Sequence, residues 1–348
     1  MRRWVMGLIA VAAVVTTAAP AWACGGLVAP NGTVNLLRTT TLAGYHAGVE
    51  HYVTSFEFAG GGGEFGSIVP LPGIPSDVVR GGDWTLQRLV REVAPPVVAL
   101  EAASSAGTAL RSSADVILEK RIDALDITIL KGGADEVGRW ALDNGFELPP
   151  DAPEVLKFYA DRSPIFMAAR FDATAAARLG QKIGDGTPIH LSIPTQNPWV
   201  PLRILALGRR ASETIQADVF LLTDAEPNLL PQAGPTMTLE RSEEASQSLV
   251  DDLRTDKGMD WIPESGMWLS YLTIDTAARD LDHDLAIDPT GTGTPSPVAA
   301  GLALPRAVAD LAADGAPLWA WLLGLGFVVA VLGGVNRLVG DPRRPAAS

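Results

Sequence analysis

Twenty consecutive residues near the C-terminus, numbers 316–335, carry no charged side chain, and this run constrains the fold more than any other feature of the sequence. A helix of that length spans the roughly 30 Å hydrocarbon core of a bilayer, where every backbone polar group must be bonded internally. Trp319 and Trp321 fall near the outer end of the run, where indole rings favour the membrane interface. Arginines follow at positions 337, 343 and 344, so the positive-inside rule places the C-terminus in the cytoplasm. The run therefore predicts one transmembrane helix, with a buried core helix as the alternative.

The first 23 residues have the three parts of a secretory signal peptide. Arg2 and Arg3 precede an apolar run at positions 5–19, and Ala21-Trp22-Ala23 offers an A-x-A cleavage site. An uncleaved N-terminal anchor is the alternative. The signal peptide and the transmembrane helix together predict a single-pass protein of the cell membrane. Its five predicted parts are a signal peptide (1–23), an extracytoplasmic domain (24–286), a Pro/Gly/Thr-rich linker and juxtamembrane segment (287–315), the transmembrane helix (316–335) and a cytoplasmic tail (336–348).

The charge and the cysteine content of the predicted exported residues exclude several partners and internal disulfide bonds. Residues 24–335 hold 22 basic and 39 acidic side chains, a formal charge of −17, which repels nucleic acid and anionic lipid headgroups. A nucleic-acid role is therefore excluded. The chain has one cysteine, Cys24, so no internal disulfide can form. Cys24 would be the first mature residue, and it is left open whether it is lipidated, joined to another molecule by a disulfide or free.

The secondary-structure pattern indicates an α+β domain built from antiparallel hairpins and short helices. A strand at 45–58 and a turn at the glycines 60–63 predict a hairpin with the strand 64–69. Helices are predicted at 84–93 (capped by Asp83), 134–145, 151–162 and 243–256 (opened by Ser242), and further strands at 123–130, 165–171, 189–193, 202–207, 215–222 and 267–274. The stretches GSIVPLPGIP (66–75) and LSIPTQNPWVPLRI (191–204) are weakly similar in sequence, which leaves open whether the domain is one unit or two related halves.

The proline-rich stretch VPLPGIP, residues 69–75, is read as a structural connection. Pro70, Pro72 and Pro75 each lack a backbone donor and fix φ, so the strand must end near Pro70. We expect the chain to run from there to the helix after Asp83, with Ile68 and Leu71 buried.

Several of these stretches, in this order, resemble the bacterial domain-of-unknown-function 2330 family of exported proteins that begin with CGG. The stretches are CGG (24–26), FEFAG (56–60), FGSIVPLPGIPSDV (65–78), WTLQRLVREVAPP (84–96), RWALDNGFELPPDA (139–152) and PLRI (201–204), and the resemblance covers roughly residues 24–280. The sequence departs from the family pattern by lacking further cysteines near CGG and by having Ser-Ile where a tryptophan precedes VPLP. The resemblance implies an envelope protein and supplies no catalytic residues.

Few residues are candidates for catalysis or metal binding. His46 and His51 are predicted to point to opposite faces of one strand, and His190 to be a hydrogen-bonded core or edge residue. Asp280, Asp282 and Asp284 form a D-x-D-x-D run of the kind that Ca²⁺ favours, which makes them weak metal candidates. Leu285 stands where an EF-hand needs glycine, so a solvated acidic segment is the preferred interpretation. No catalytic residue, cofactor or metal is expected.

These observations predict a membrane-tethered protein of the bacterial envelope that binds or scaffolds a partner, and they leave open whether it is an enzyme while favouring that it is not. Its partners would be the lipid bilayer, through the 316–335 helix, and an envelope protein or glycan. The alternative is an envelope hydrolase with an unrecognised carboxylate site, which would need converging carboxylates or a His–carboxylate pair in a deep pocket.

Overall fold

The computed structural model describes residues 26–28, 39–57, 65–93, 115–181 and 186–305. The predicted signal peptide, Cys24, the 316–335 span and the cytoplasmic tail lie outside these residues. Within the described ranges, no helix is both long enough and apolar enough to cross a membrane.

Short strands dominate the described residues. In chain order they are β1 (Gly26–Val28), β2 (Thr39–His46), β3 (Val49–Glu57), β4 (Phe65–Pro70), β5 (Asp77–Arg80), β6 (Asp115–Ile122), β7 (Leu125–Lys131), β8 (Ile165–Phe171), β9 (Gly186–Pro194), β10 (Trp199–Val200), β11 (Thr214–Thr223), β12 (Asn228–Leu230), β13 (Met237–Glu244), β14 (Trp268–Ala277) and β15 (Leu285–Asp288). The α-helices are α1 (Thr85–Val93), α2 (Ala134–Asp143), α3 (Ala152–Ala160), α4 (Ala173–Arg178) and α5 (Gln247–Thr255).

These strands form three sheets. The largest has the order β13-β14-β11-β2-β3-β9-β5, and all its pairs are antiparallel except β2 with β11. A five-stranded antiparallel sheet has the order β1-β4-β8-β7-β6, and a small sheet joins β10, β15 and β12. The predicted α+β class with antiparallel strands and short helices is confirmed at this level.

Two apolar cores hold the layers together. The larger one contains buried side chains of both large sheets, such as Tyr52 and Ile189 from one and Ile68 and Ile127 from the other. The smaller one lies on the opposite face of the seven-stranded sheet, where α1 and α5 cover Leu42, Val53 and Phe220. The seven-stranded sheet is therefore buried on both faces over its centre.

The VPLPGIP prediction is confirmed. Strand β4 ends at Pro70, Ile68 and Leu71 are 0% and 1% exposed, and the Leu71 N–H donates to Ile165 O at 2.9 Å. The chain then forms the short strand β5 before α1. Leu71 thus fixes the connection between the two large sheets.

The cap of α1 differs from the prediction. Asp83 pairs with Arg80 at 2.5 Å, and the carboxylate that binds the start of α1 belongs to Asp256. Asp256 Oδ2 accepts from the Trp84 N–H at 3.2 Å and from the Thr85 hydroxyl at 2.6 Å. Sequence proximity favoured Asp83, but the tertiary fold supplies a better placed acceptor.

The predicted strand 45–58 is wrong because the chain reverses within it. Ala47 and Gly48 both have positive φ, 49° and 82°, and form the tight turn between β2 and β3. The predicted pairing of this strand with 64–69 is also wrong, since β3 pairs with β2 and β9 whereas β4 belongs to the other large sheet. The 58–64 segment therefore connects two sheets, although its own structure lies outside the described residues.

Two more predicted elements change. Residues 203–206 form a 3₁₀ turn instead of the predicted strand. The predicted 243–256 helix begins four residues later than expected, with Ser246 accepting from the Leu249 N–H, because residues 237–244 pair with β14 as a strand. The helices at 134–145 and 151–162 are confirmed as α2 and α3, and α2 is followed by Gly145 at a φ of 80° as its left-handed terminator.

The compact unit extends to Leu302, past the boundary at residue 286 that composition predicts. Strand β15 continues to Asp288, and Ala299 and Ala300 are 7% and 0% exposed. Part of the predicted linker is therefore packed against the domain.

Replacing Leu71 by alanine should destabilise the domain by about 2–5 kcal/mol, because the cavity left in the core cannot collapse fully. Ile74→Ala is the matched control in the same segment, since Ile74 is 47% exposed, and it should cost less than about 0.5 kcal/mol. Urea unfolding of both variants measures the difference. Equal losses would contradict the assigned role of Leu71.

Candidate functional site

The carboxylates of Asp280, Asp282 and Asp284, the weak metal candidates of the sequence, do not form a cluster. Asp280 ends a 3₁₀ turn at the surface, and the Asp282 side chain is 78% exposed and lies 3.0 Å from His283 Nδ1. Asp284, in contrast, is fully buried, so the interpretation of the run as a solvated segment is wrong for this residue. Among the described residues, no three His, Cys, Asp or Glu side chains are placed to hold a metal ion.

Asp284 binds two distant parts of the chain at once. Its Oδ2 pairs with Arg162 Nη2 at 2.6 Å. Its Oδ1 accepts three hydrogen bonds, from the Tyr159 hydroxyl (2.8 Å), the Leu202 N–H (2.8 Å) and the Arg203 N–H (2.9 Å). Burial raises the pKa of Asp284, while the Arg162 guanidinium and these donors oppose that rise. We take the carboxylate to be ionised at neutral pH because every one of its partners is a donor.

Arg162 extends the network to the end of the domain. Its guanidinium lies over the Phe158 ring at 3.9 Å and 5.1 Å from the centre of the Trp199 ring. Its Nη1 donates to Ala299 O at 2.7 Å, which holds the segment after β15 against α3. One buried ion pair thus fastens helix α3, the 199–204 segment and the C-terminal part of the domain.

A second buried carboxyl binds the other end of the same segment. Glu50 is 0% exposed, and its Oε2 accepts from the Trp199 N–H at 3.3 Å. Its Oε1 has no hydrogen-bond partner, and burial raises the pKa of Glu50 to about 8. The side chain is therefore a neutral acid at neutral pH. The 199–204 segment, which includes the PLRI stretch, lies between Glu50 at one end and Asp284 at the other.

A narrow cleft lies beside this segment. Its volume of about 10 Å³ holds about one water molecule. The sheet lines it with Thr39, Thr41, Tyr52, Ala217 and Val219, and the neighbouring segment lines it with Val200, Pro201, Leu202, Ile204 and Leu205. The cleft is too small to receive a substrate in this conformation.

A pair of histidines occupies the opposite face of β3. His51 Nδ1 and His190 Nε2 are 3.1 Å apart, and the residues are 8% and 4% exposed. The Trp261 ring stacks on His51 with 4.1 Å between centroids and 3° between planes. Burial, together with the smaller effects of the neighbouring His190 and His46, lowers the pKa of His51 to about 3, and burial lowers the pKa of His190 to about 4. Both rings are neutral at neutral pH.

The histidine predictions have mixed outcomes. His190 is a hydrogen-bonded core residue, as expected. The prediction that His46 and His51 point to opposite faces is wrong, because the turn at 47–48 puts them on different strands. Gly44 pairs with His51, and His46 shares the face of Gly44, so both histidines lie on one face of the sheet. His46 is more exposed and lies 2.7 Å from Asp224.

Sequence reasoning missed Glu50 and Asp284 as buried groups. A signal for Glu50 was present, since its position has the same parity in β3 as the buried Tyr52 and Thr54. Asp284 precedes the apolar run of β15, but its partners lie more than 80 residues away, and no local pattern indicates them.

Three comparisons with known proteins complete the description. Residues 18–225 match the model of the DUF2330 family, described as an uncharacterized protein conserved in bacteria. No curated protein matches the chain. Among solved structures, a mutated baculovirus P35 after caspase cleavage has a TM-score of 0.38 with 9% identity, over 72% of this chain and 99% of that one. Baculovirus P35 itself has a TM-score of 0.38 with 10% identity over 72% and 96% of the two chains. Likeness at this level supports no argument about fold or function.

Replacing Asp284 by asparagine should destabilise the domain by about 3–5 kcal/mol, because Arg162 would remain buried without its counter-charge. Asp282→Asn is the matched control two residues away and should change the free energy of unfolding by less than about 0.5 kcal/mol. Urea unfolding checks both values. A small loss for Asp284→Asn would show that the ion pair does not organise the domain.

Glu50→Gln should change how stability depends on pH. The neutral Glu50 carboxyl stabilises the fold fully below its unfolded pKa of 4.5, and this contribution is lost as pH rises through the folded pKa of about 8. The wild-type stability minus that of Glu50→Gln should therefore fall by up to about 1.4 kcal/mol per pH unit between about pH 5 and 8. Urea unfolding of both chains across this range is the measurement, and the histidine pair cancels because both chains contain it. A constant difference would contradict the buried, neutral state of Glu50.

Proposed function

Because this chain belongs to the DUF2330 family of uncharacterized proteins conserved in bacteria, we propose that it is a membrane-tethered binding or scaffolding protein of the bacterial cell envelope. In this proposal residues 1–23 direct export, the 316–335 helix holds the protein in the cell membrane, and residues 336–348 lie in the cytoplasm. The domain that ends at Leu302 then lies on the extracytoplasmic side.

The observation that carries the proposal is how the domain uses its charged groups. The most deeply buried ion pair, Asp284 with Arg162, is committed to internal contacts that fasten the fold. Among the described residues the buried carboxyl groups are those of Glu50, Asp218, Asp256 and Asp284. Other acidic side chains are exposed, as at Glu240, Glu243 and Glu244 of β13, and residues 24–335 have a formal charge of −17. A domain with an acidic surface suits a partner that carries basic groups, and we propose an envelope protein or glycan of that kind.

Glu50 is the observation that favours the alternative, an envelope hydrolase with an unrecognised carboxylate site. A carboxyl with a pKa near 8 has the protonation state of a general acid at neutral pH. Its side chain is 0% exposed, however, and the cleft nearby has room for about one water molecule. Glu50 fits the role of a buried structural acid better than that of a catalytic one.

Cross-linking on intact cells tests the proposal. The full-length chain with a tag after Ser348 is treated with a protein-reactive cross-linker that does not pass the cytoplasmic membrane. We expect a discrete adduct of higher mass that weakens as ionic strength approaches about 1 M, where the screening length falls to about 3 Å. The tag itself should resist protease added outside the cells, because the C-terminus is cytoplasmic.

Two results would count against the proposal. Digestion of the tag from outside would reverse the topology, and an adduct unaffected by salt would remove the role of the acidic surface. Hydrolysis of an envelope substrate by the purified chain, lost in Glu50→Gln, would support the hydrolase alternative instead.

A further inference from the structure

The loop at residues 256–262 covers the His51–His190 pair and is fixed at both ends. At its start, Asp256 binds the Trp84 N–H and the Thr85 hydroxyl of the α1 N-terminus. At its end, Ile262 O accepts from Arg254 Nη1 at 2.5 Å. Between these anchors Met259 is buried in the smaller apolar core, and Gly258 and Trp261 lie against the sheet.

Both histidines contact the middle of the loop. Trp261 stacks on His51, and it fits there because residue 44 beneath the indole is glycine, where any Cβ atom would collide with the ring. Gly258, at a φ of 79°, faces His190, so a Cβ there would lie only 3.1 Å from His190 Nδ1. The loop is thus fitted closely to both imidazole rings.

Protonation is incompatible with this arrangement. A neutral pair shares one hydrogen between His51 Nδ1 and His190 Nε2, which are 3.1 Å apart. A first extra proton puts a positive charge in a buried site, and at His190 Nδ1 it finds no acceptor, because that buried atom has no partner. A second proton places hydrogens on both facing nitrogens, so their bond is lost and two positive rings repel each other.

The charged groups around the pair do not remove this conflict. His46 on β2 opposes protonation of His51, while Asp77 on β5 and Asp260 in the loop favour protonation of His190. Burial outweighs the two carboxylates. Asp256 and Lys257 also belong to the loop, and Asp256 is occupied by its contacts with α1 and with the Lys257 N–H. Glu50 is on the other face of β3.

We propose that the His51–His190 pair is an acid-sensitive latch, which holds the 256–262 loop on the sheet at neutral pH and releases it locally when both rings take up protons. In the released state each histidine has an ordinary pKa near 6.5. At pH 5 each ring therefore favours the open loop by about 30-fold, and the two together by about 1,000-fold, relative to neutral pH. An extracytoplasmic domain would meet such changes in acidity directly.

Hydrogen exchange of the full chain, followed by mass spectrometry, tests the latch at about pH 7.5 and about pH 5, which is above the range where ordinary carboxylates take up protons. After correction for the intrinsic effect of pH on exchange, protection of the 256–262 peptide should fall by up to about 1,000-fold, while peptides of β11 keep theirs. His190→Gln should limit the fall to about 30-fold, and the double variant His51→Gln/His190→Gln should abolish it. His46→Gln, the control on the same face, should behave as the wild type.

Three outcomes would overturn the proposal. They are equal protection of the loop at both pH values in the wild type, a pH effect in the double variant as large as that in the wild type, and loss of protection throughout the domain together with the loop. If the variants do not fold, nuclear magnetic resonance titration of the wild-type rings decides, because an ordinary titration of either His51 or His190 near pH 6.5 would rule out the latch.

Discussion

The ion pair between Asp284 and Arg162 is the interaction on which the rest of the domain depends. It joins helix α3, the 199–204 segment and the chain after β15, which come together only in the folded state. Burying two charges is costly, and here the cost is offset because both carboxylate oxygens accept hydrogen bonds and the guanidinium donates to Asp284, Phe158 O and Ala299 O. The packed segment that ends at Leu302 is held by the same arginine, through Ala299 O, and by the Asp284 N–H, which donates to Ala300 O at 3.0 Å. Both residues of the ion pair therefore bind the last packed segment of the domain.

Strand β3 carries two opposite responses to acidity on its two faces. Glu50 contributes stability that is lost as pH rises from its unfolded pKa of 4.5 toward about 8. The neighbouring His51 contributes stability that is lost as pH falls from 6.5 toward about 3, and its partner His190 on β9 contributes stability that is lost from 6.5 toward about 4. Between 4.5 and 6.5 the two slopes oppose each other, so a single strand flattens the overall dependence of folding on pH. Each face still responds locally, because the groups are separated by the sheet.

The sequence predicts the parts of this fold that rest on local chemistry. The prolines after β4, the glycine after α2 and the apolar spacing of α1 locate their elements because each acts within a few residues. The turn between β2 and β3 was not predicted because Ala47-Gly48 lacks the Asn-Gly or Asp-Gly pair that is typical of a tight hairpin turn. Strand β13 is too polar to show alternation, and its pairing with β14 decides its structure. Asp256, Asp284 and Glu50 act on residues about 80 to 170 positions away, and no local pattern carries that information.

The parallel pairing of β2 with β11 has a consequence for how the chain reaches this fold. Strand β2 can form its hairpin with β3 early, but its other neighbour lies about 180 residues further along, where Thr39 stands opposite Ala217. Closing so long a loop lowers the entropy of the chain before the pairing of β2 with β11 can stabilise it, and this slows folding. Until β11 arrives, β2 has an open edge of the kind that pairs with other chains. If the chain crosses a membrane N-terminus first, as proposed, β2 would reach the outer side before β11 and its edge would stay open until β11 follows.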